Sequence, residues 1–466
     1  MPLPYYLSCA AILLFGIQAF LAREKAWGIP ACAVLATTIA WYIMDAIYND
    51  YSVYIVGIGL KALNMAWWQV FIFVCAYGII TPFIHSSINR KLLGNKSFVI
   101  GCYKHRYLDS PQVQHNIDQT AKALLFAWGT LMLIALYQVG GQALNLFAPY
   151  LSGVKADPWS RNRLGAGFDA LISFASYIQL IMTAGFGVIF AVAKNPRTRT
   201  MAGIVCLLAF PPYLFDRTRN TMLSTMVPGL LAWVFFRLRG PLYLKLGVLA
   251  SAFLSVNFWL TTVMISRNEG KSVATVLSEN KKREKKEGST HEGLNMFEEL
   301  GWINLFIESG YYKPNMGSRY FAEIVNPIPR ALWKNKPLIG IDYAIARGQG
   351  DTGDDGLVTA TISTGMIGQG VVNFGGFFGP IAAATLMALW TAILARQDLL
   401  SRHELGRLLL YVSGLILTFN IGRDITLLVL YPFFFGLGML WVWKTLRGGS
   451  LQEGAFIRRA TKELRK

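Results

Sequence analysis

Charge-free apolar windows of about twenty residues recur along the chain, and that is the length a helix needs to cross the ~30 Å hydrocarbon core of a bilayer. Clear windows run from Pro4 to Ala22, Ala26 to Met44, Ala62 to Ile84, Ala123 to Ala148, Ala170 to Ala193, Leu246 to Ser266 and Ile425 to Trp443. A chain built this way reads as an all-α polytopic membrane protein. Composition agrees: of 466 residues 54% are hydrophobic and 15% charged, yet the formal net charge is +18. A soluble nucleic-acid binder with that excess disperses Lys and Arg over a charged surface. Here they come in clumps between apolar runs, which excludes a nucleic-acid module and a disordered chain. Cys9, Cys32, Cys75 and Cys206 lie inside apolar runs and Cys102 in a basic loop, so no pair is placed to staple an extracellular domain.

Three further stretches complete the count. Thr200 to Phe236 is apolar except for Asp216, Arg217 and Arg219 at its midpoint, and Leu408 to Trp443 except for Arg423 and Asp424. Each is too long for one helix and long enough for two, so each reads as a helical hairpin with a charged tip. Gly356 to Ala395 carries no charge; Phe374 to Ala395 reads as a span and the Gly- and Thr-rich part before it, Thr359 to Val372, as re-entrant or interfacial. The total is about eleven spans. Short connections and the tail hold 24 of the 44 Lys and Arg on one side against seven on the other, which makes the richer side cytoplasmic. The domains expected are residues 1–266 with membrane helices 1 to 8, a large external loop 267–357, a re-entrant segment with helices 9 to 11 over 358–443, and a basic cytoplasmic tail 444–466. Within the loop, Lys281 to Glu287 is a solvated charge run and Asn295 to Ser309 an amphipathic helix lying against the membrane domain.

Soluble catalytic signatures are missing: no Walker A sequence, no Gly-x-Ser-x-Gly, no His-Glu-x-x-His and no Cys/His spacing for zinc. No metal or cofactor is expected. The loop offers one histidine, His291, and the GQGDTGDD run at Gly348 to Asp355 lacks the ligand spacing of a calcium loop. What stands out is arginine at membrane depth on the side where cations are disfavoured: Arg217, Arg219 and Arg423 at hairpin tips, with Arg161 and Arg163 on a neighbouring loop. Tips need something polar and long cations snorkel. Intramembrane charge, however, marks function by default, and a guanidinium binds phosphate bidentately without ever deprotonating. Converging arginines suit a diphosphate-linked lipid. Asp216 and Asp424 each adjoin one of them, either as a local ion pair or as a general base. Asp45, at the outer end of the second span, reads as a capping carboxylate.

The stretch NPIPRALWKNKP at Asn326 to Pro337 resembles the Ile-Pro-Arg-x-x-Trp-x-x-Lys-Pro run in the large periplasmic loop of the oligosaccharide repeat unit polymerases, the O-antigen polymerase (Wzy) family. RNRLGAG at Arg161 to Gly167, DRTRN at Asp216 to Asn220, NFGGFFG at Asn373 to Gly379 and IGRD at Ile421 to Asp424 follow in order. The resemblance implies a bundle of the GT-C kind in the bacterial inner membrane with its active face periplasmic. The activity implied is a metal-independent, inverting transfer of a growing glycan from undecaprenyl diphosphate to the non-reducing end of an acceptor repeat unit. It implies lipid-linked oligosaccharides and a chain-length regulator as partners. Matched position by position, Arg163, Arg219, Arg330 and Arg423 contact diphosphate or sugar, Lys336 assists, and Trp333 stacks on sugar or packs the loop; Asn373 lies in the Asn-Phe-Gly motif. Asp216, Asp424 and Glu323 are the candidate bases. The chain has Gly368, Gln369 and Gly370 where many relatives place an acidic residue. An O-antigen ligase uses the same donor, and a lipid-linked oligosaccharide flippase the same substrate; the first relies on an external His with Arg, the second on repeat symmetry that this sequence lacks.

Overall fold

The structure is a computed structural model, and it describes residues 1–92, 96–100, 111–148, 158–159, 169–214, 219–269, 295–326, 328, 332–333, 335–337, 341–348, 362–401, 405–425 and 427–446. Among these residues the chain is helical and contains no strand. In chain order the helices are α1 (Leu3–Leu21), α2 (Gly28–Tyr48), α3 (Tyr51–Ile58), α4 (Leu60–Ile88), α5 (Pro111–Gln138), α6 (Ala143–Phe147), α7 (Asp169–Val192), α8 (Pro196–Ala209) and α9 (Pro211–Leu214). They continue as α10 (Arg219–Phe236), α11 (Leu242–Glu269), α12 (Met296–Glu308), α13 (Ser318–Val325), α14 (Ile341–Ala346), α15 (Gly365–Leu400), α16 (Leu405–Arg423) and α17 (Leu427–Leu446). Short 3₁₀ turns at Ala22–Glu24 and Arg90–Leu92 close α1 and follow α4.

Six helices are long and apolar enough to cross a membrane: Leu3–Glu24, Gly28–Tyr48, Leu60–Ile88, Val113–Gln138, Ala175–Val192 and Gly365–Leu400. That is fewer than the eleven spans the sequence suggests. Shorter apolar helices stand at Thr221–Phe236, Tyr243–Val256 and Leu430–Trp443. The 14 residues of α8 reach about 21 Å, short of a full hydrocarbon core. The fourth span is also differently bounded. It ends at Gln138 instead of running to Ala148, because Gly140 and Gly141 turn the chain with φ of 67° and 80°.

α4 and the long helix α15 form the centre, α1 and α2 flank α4 and α16, and α7 pairs with α10 and α17. The buried face is aromatic and aliphatic, with Trp67, Phe73, Val74 and Tyr77 of α4 fully enclosed. Outward apolar residues such as Leu13, Leu14, Phe126, Leu133 and Leu207 are exposed, as a lipid-facing surface requires.

α15 is not one rod. Gly375 has φ 79° and ψ 179°, outside the helical region. A methyl group on Gly370 would overlap the carbonyl of Gly379 and come 3.1 Å from the Cβ of Ala383. In a straight helix those backbones lie about 13 Å apart or more, so the chain doubles back at Gly375. Residues 365–374 are a short re-entrant arm lying against the helix that follows, which places the Gly-rich segment as the sequence reading does and starts its helix at Gly365. α12 falls within the stretch read as amphipathic. It is more enclosed than an interfacial helix: Met296, Phe297, Glu299, Leu300, Gly301, Ile303 and Asn304 are buried, and Gln69 and Asn304 exchange two amide hydrogen bonds of 2.7 and 2.8 Å. Phe297 stacks on Trp67 with centroids 4.0 Å apart.

The two ends of the bundle differ in charge. Lys25, Lys91, Lys96, Lys194, Arg197, Arg237, Arg396 and Arg407 gather at the end where α4 stops and α2 and α8 begin. The other end carries α12, α13 and the turn at Gly375, and is called here the loop end.

Candidate functional site

At the loop end, three of the motif segments that are far apart in sequence meet. α13 presents Arg319, of which only 3% is exposed. Its Nη2 donates to Oδ2 of Asp424 at 3.0 Å. Asp424 follows directly on α16, where Gly422 lets α2 approach, since a methyl group there would overlap Thr37 and Trp41. The other Asp424 oxygen accepts from the Thr364 hydroxyl at 3.3 Å, at the mouth of the re-entrant arm. Gln369 of the arm accepts from the amide of Ile425 at 2.7 Å. Asn373 accepts from the amide of Tyr320 at 3.3 Å and donates to the carbonyl of Gln369 at 2.7 Å. The amide of Asn315 donates to the carbonyl of Val372 at 3.0 Å. The IGRD tip, the Asn-Phe-Gly turn and the helix that leads into the Pro-rich loop thus form one polar cluster.

Burial pushes the Asp424 carboxyl above the ordinary aspartate value, and the Arg319 guanidinium beside it pulls it back. Burial works against the charge on Arg319, but Asp424, then Glu323 and Asp342, hold it protonated. Glu323 lies one helical turn after Arg319 and is 3% exposed. Tyr320 packs its ring 6.1 Å from that of Phe374.

α2 supports the cluster from beneath. A wide turn at Ile39–Ile43, closed by an i→i+5 bond, interrupts its α-helical period. Just beyond, the buried Tyr42 hydroxyl accepts from the amide of Ile367 at 2.9 Å, in the first turn of the re-entrant arm. Asp45, fully buried, accepts from the amides of Phe297 and Glu298 at 2.8 and 3.0 Å, from Tyr54 at 2.9 Å and from Asn49. Asp45 is therefore a cap, for the N-terminus of α12 rather than for its own helix. A second tie runs from Glu299 to Tyr343 and to Arg347 at 3.3 Å, and Arg347 lies over Trp302.

The sites expected from sequence fall into three groups. Asp424 and Asn373 are in the cluster. Asp424 pairs with Arg319 rather than with its neighbour Arg423, whose side chain is exposed at the rim. Trp333 and Lys336 pack the loop. Trp333 lies edge-on to Phe321 with centroids 6.5 Å apart, and Lys336 Nζ donates to the carbonyls of Asn326 and Ile328 at 2.8 and 2.9 Å. Arg161, Arg163, Asp216, Arg217 and Arg330 lie outside the described residues, as do His291 and the Lys281 to Glu287 run; Arg219 begins α10, its side chain outside them too. Arg319, Tyr320, Gln369 and Tyr42 are additions that sequence reading missed.

Among the described residues no group of three or more His, Cys, Asp or Glu is arranged to hold a metal ion. An apolar crevice of about 200 Å³ opens between α5, α7, α16 and α17, lined by Ala127, Ile181, Gly185, Leu409 and Met439 among others; it belongs to the basic half of the bundle, away from the cluster. No protein-family model, curated protein or solved structure matches the chain.

Proposed function

We propose that the protein is a membrane-embedded glycosyltransferase of the O-antigen polymerase type, joining undecaprenyl-diphosphate-linked repeat units on the periplasmic face of the inner membrane. The observation that carries this reading is the meeting of Arg319, Asp424, Asn373 and the exposed Arg423 at one end of a lipid-facing helical bundle. These residues come from motif segments more than a hundred positions apart, and they combine fixed cations with buried carboxylates. In such a site the acceptor hydroxyl gives its proton to a carboxylate, with Asp424, Glu323 and Asp216 as candidates. Its oxygen bonds to the anomeric carbon as the bond to the diphosphate breaks, and the configuration inverts. The electron pair leaves on the diphosphate, where guanidiniums of Arg423, Arg219 and Arg330 stabilise the growing charge without a metal. The eleven-span topology with a cytoplasmic C-terminus, and pairing with a chain-length regulator, belong to the same proposal.

Deleting the gene tests it. Loss of a polymerase leaves surface lipid capped by a single repeat unit; loss of a ligase strands polymer on its lipid carrier, and loss of a flippase traps units inside. Either of the latter two outcomes sinks the reading. Complementation with Arg219→Ala, Arg330→Ala or Arg423→Ala is expected to give membrane-inserted protein and no long-chain product. Normal chain lengths in all three would return those arginines to a structural role.

A further inference from the structure

The cluster around Arg319 holds more than its internal bonds account for. Nε and Nη1 of Arg319, the hydroxyl of Tyr320 and Nε2 of Gln369 are buried donors with no acceptor, and Oδ1 of Asn315 is a buried acceptor with no donor. Sealed polar groups of this kind cost about 1–3 kcal/mol each and are rare in native proteins unless a ligand or water fills them. Several in one place, of both kinds, call for a partner that both donates and accepts. A hydroxylated ring does so at every oxygen; an apolar tail does so nowhere.

The charge balance narrows the choice. Arg319 is the buried cation, facing two buried carboxylates, Asp424 and Glu323. At the rim Arg423 is exposed, and so is Asp342, which accepts from Tyr312 at 2.7 Å and from Asn315 at 3.1 Å. The cluster is thus acidic by one charge inside, and its rim is balanced. A ligand carrying its own carboxylate would add a like charge to an enclosed site that already holds one too many. A diphosphate meets the same obstacle here and finds better ground at the exposed arginines.

We propose that Arg319, Tyr320, Glu323, Gln369 and Asp424 form the subsite for the acceptor sugar, and that the excess of buried carboxylate selects an uncharged sugar over a uronic acid. The proposal rests on the polymerase reading and says which of its two substrates goes where. Phe374, 37% exposed beside Tyr320, supplies an apolar wall for one face of the ring.

The full-length protein in lipid nanodiscs is titrated with methyl glucoside and methyl galactoside, and with the matching methyl uronides, by saturation-transfer NMR. The neutral glycosides are expected to bind roughly tenfold more tightly, the effect of one like charge about 12 Å away at an effective dielectric near 20. Glu323→Gln is expected to shrink that preference. Should this variant misfold, the wild-type comparison stands alone. Equal or tighter binding of the uronides overturns the charge selection, and binding of neither kind overturns the sugar subsite. The deletion phenotype is read separately, so a single-repeat cap with no sugar preference would refute this inference and leave the polymerase reading in place.

Discussion

At the basic end of the bundle Arg237 gives its guanidinium to the carbonyls of Ala191, Val192 and Ala193, with bonds of 2.7 to 3.2 Å. At the loop end Arg319 meets a carboxylate and keeps two N–H groups without acceptors. The contrast extends to the acids. Asp118 accepts from Asn195 and Thr198 at the start of α8, at 2.9 and 2.6 Å, and Asp398 accepts from the amide of Val99 at 3.0 Å. Each of these groups closes a helix terminus or a turn, where the macrodipole and the open main-chain groups welcome a charge. Of the loop-end acids only Asp45 works that way; Asp424 and Glu323 face a cation of another segment. One end uses charge to finish secondary structure, the other to gather distant segments, and only the second kind leaves bonding capacity over.

The largest effect that tests this contrast is expected from Arg319→Ala. Removing one partner of a buried pair strands the Asp424 carboxylate, at a cost of about 3–5 kcal/mol. Thermal unfolding in detergent should drop sharply and long-chain product should vanish. Asp45→Ala should come next. It uncaps α12 and frees Tyr54, with a loss of about 2–3 kcal/mol. Proteolysis within 295–348 is expected to rise while the rest of the bundle stays resistant; unchanged cleavage would show that α12 is held by its apolar face alone. Arg237→Met should cost about 1 kcal/mol as a lost helix C-cap and leave chain length untouched. If it abolished product as Arg319→Ala does, the division between the two ends would fail.

The smallest effect is one of pH. Burial raises the Glu299 carboxyl above its ordinary value of 4.5, more than Tyr343 and Arg347 lower it. The folded protein therefore binds the Glu299 proton at a pH where the unfolded chain has lost it. From 4.5 up to the raised value, stability falls as pH rises and recovers on acidification. Melting temperatures of Glu299→Gln should show a shallower slope over that window, and a slope equal to that of the wild type would assign the dependence to other groups.

Much of the framework is legible in the sequence because lipid enforces it. A charge-free window of twenty residues has few ways to fold, and α1, α2, α4 and α7 stand where their windows do. The re-entrant arm is legible for a related reason: its Gly and Thr content made a poor span of an uncharged stretch, and Gly375 is where the chain turns. α12 shows itself by its mixed pattern. The cluster is only half visible. Asp424 and Asn373 stand out in short motifs, but Arg319 sits in GSRYF, a run with no periodicity and no spacing to its partner 105 residues away. Ion pairs across such distances follow from packing, which one sequence does not display. Tyr42 is hidden differently, as an aromatic residue in an apolar window whose hydroxyl matters only because the wide turn before it aims it at Ile367.

That wide turn gives α2 one residue more than a regular helix needs over the same rise. Excising any single position from 39 to 43 would restore the 3.6-residue period and rotate all that follows by about 100°. The half of α2 before it, Gly28–Thr38, would keep its neighbours, while Tyr42 and Asp45 would both swing off the groups they hold. The gene should therefore tolerate small insertions and deletions unevenly. Losing one codon here would detach the external loop from a bundle that still folds.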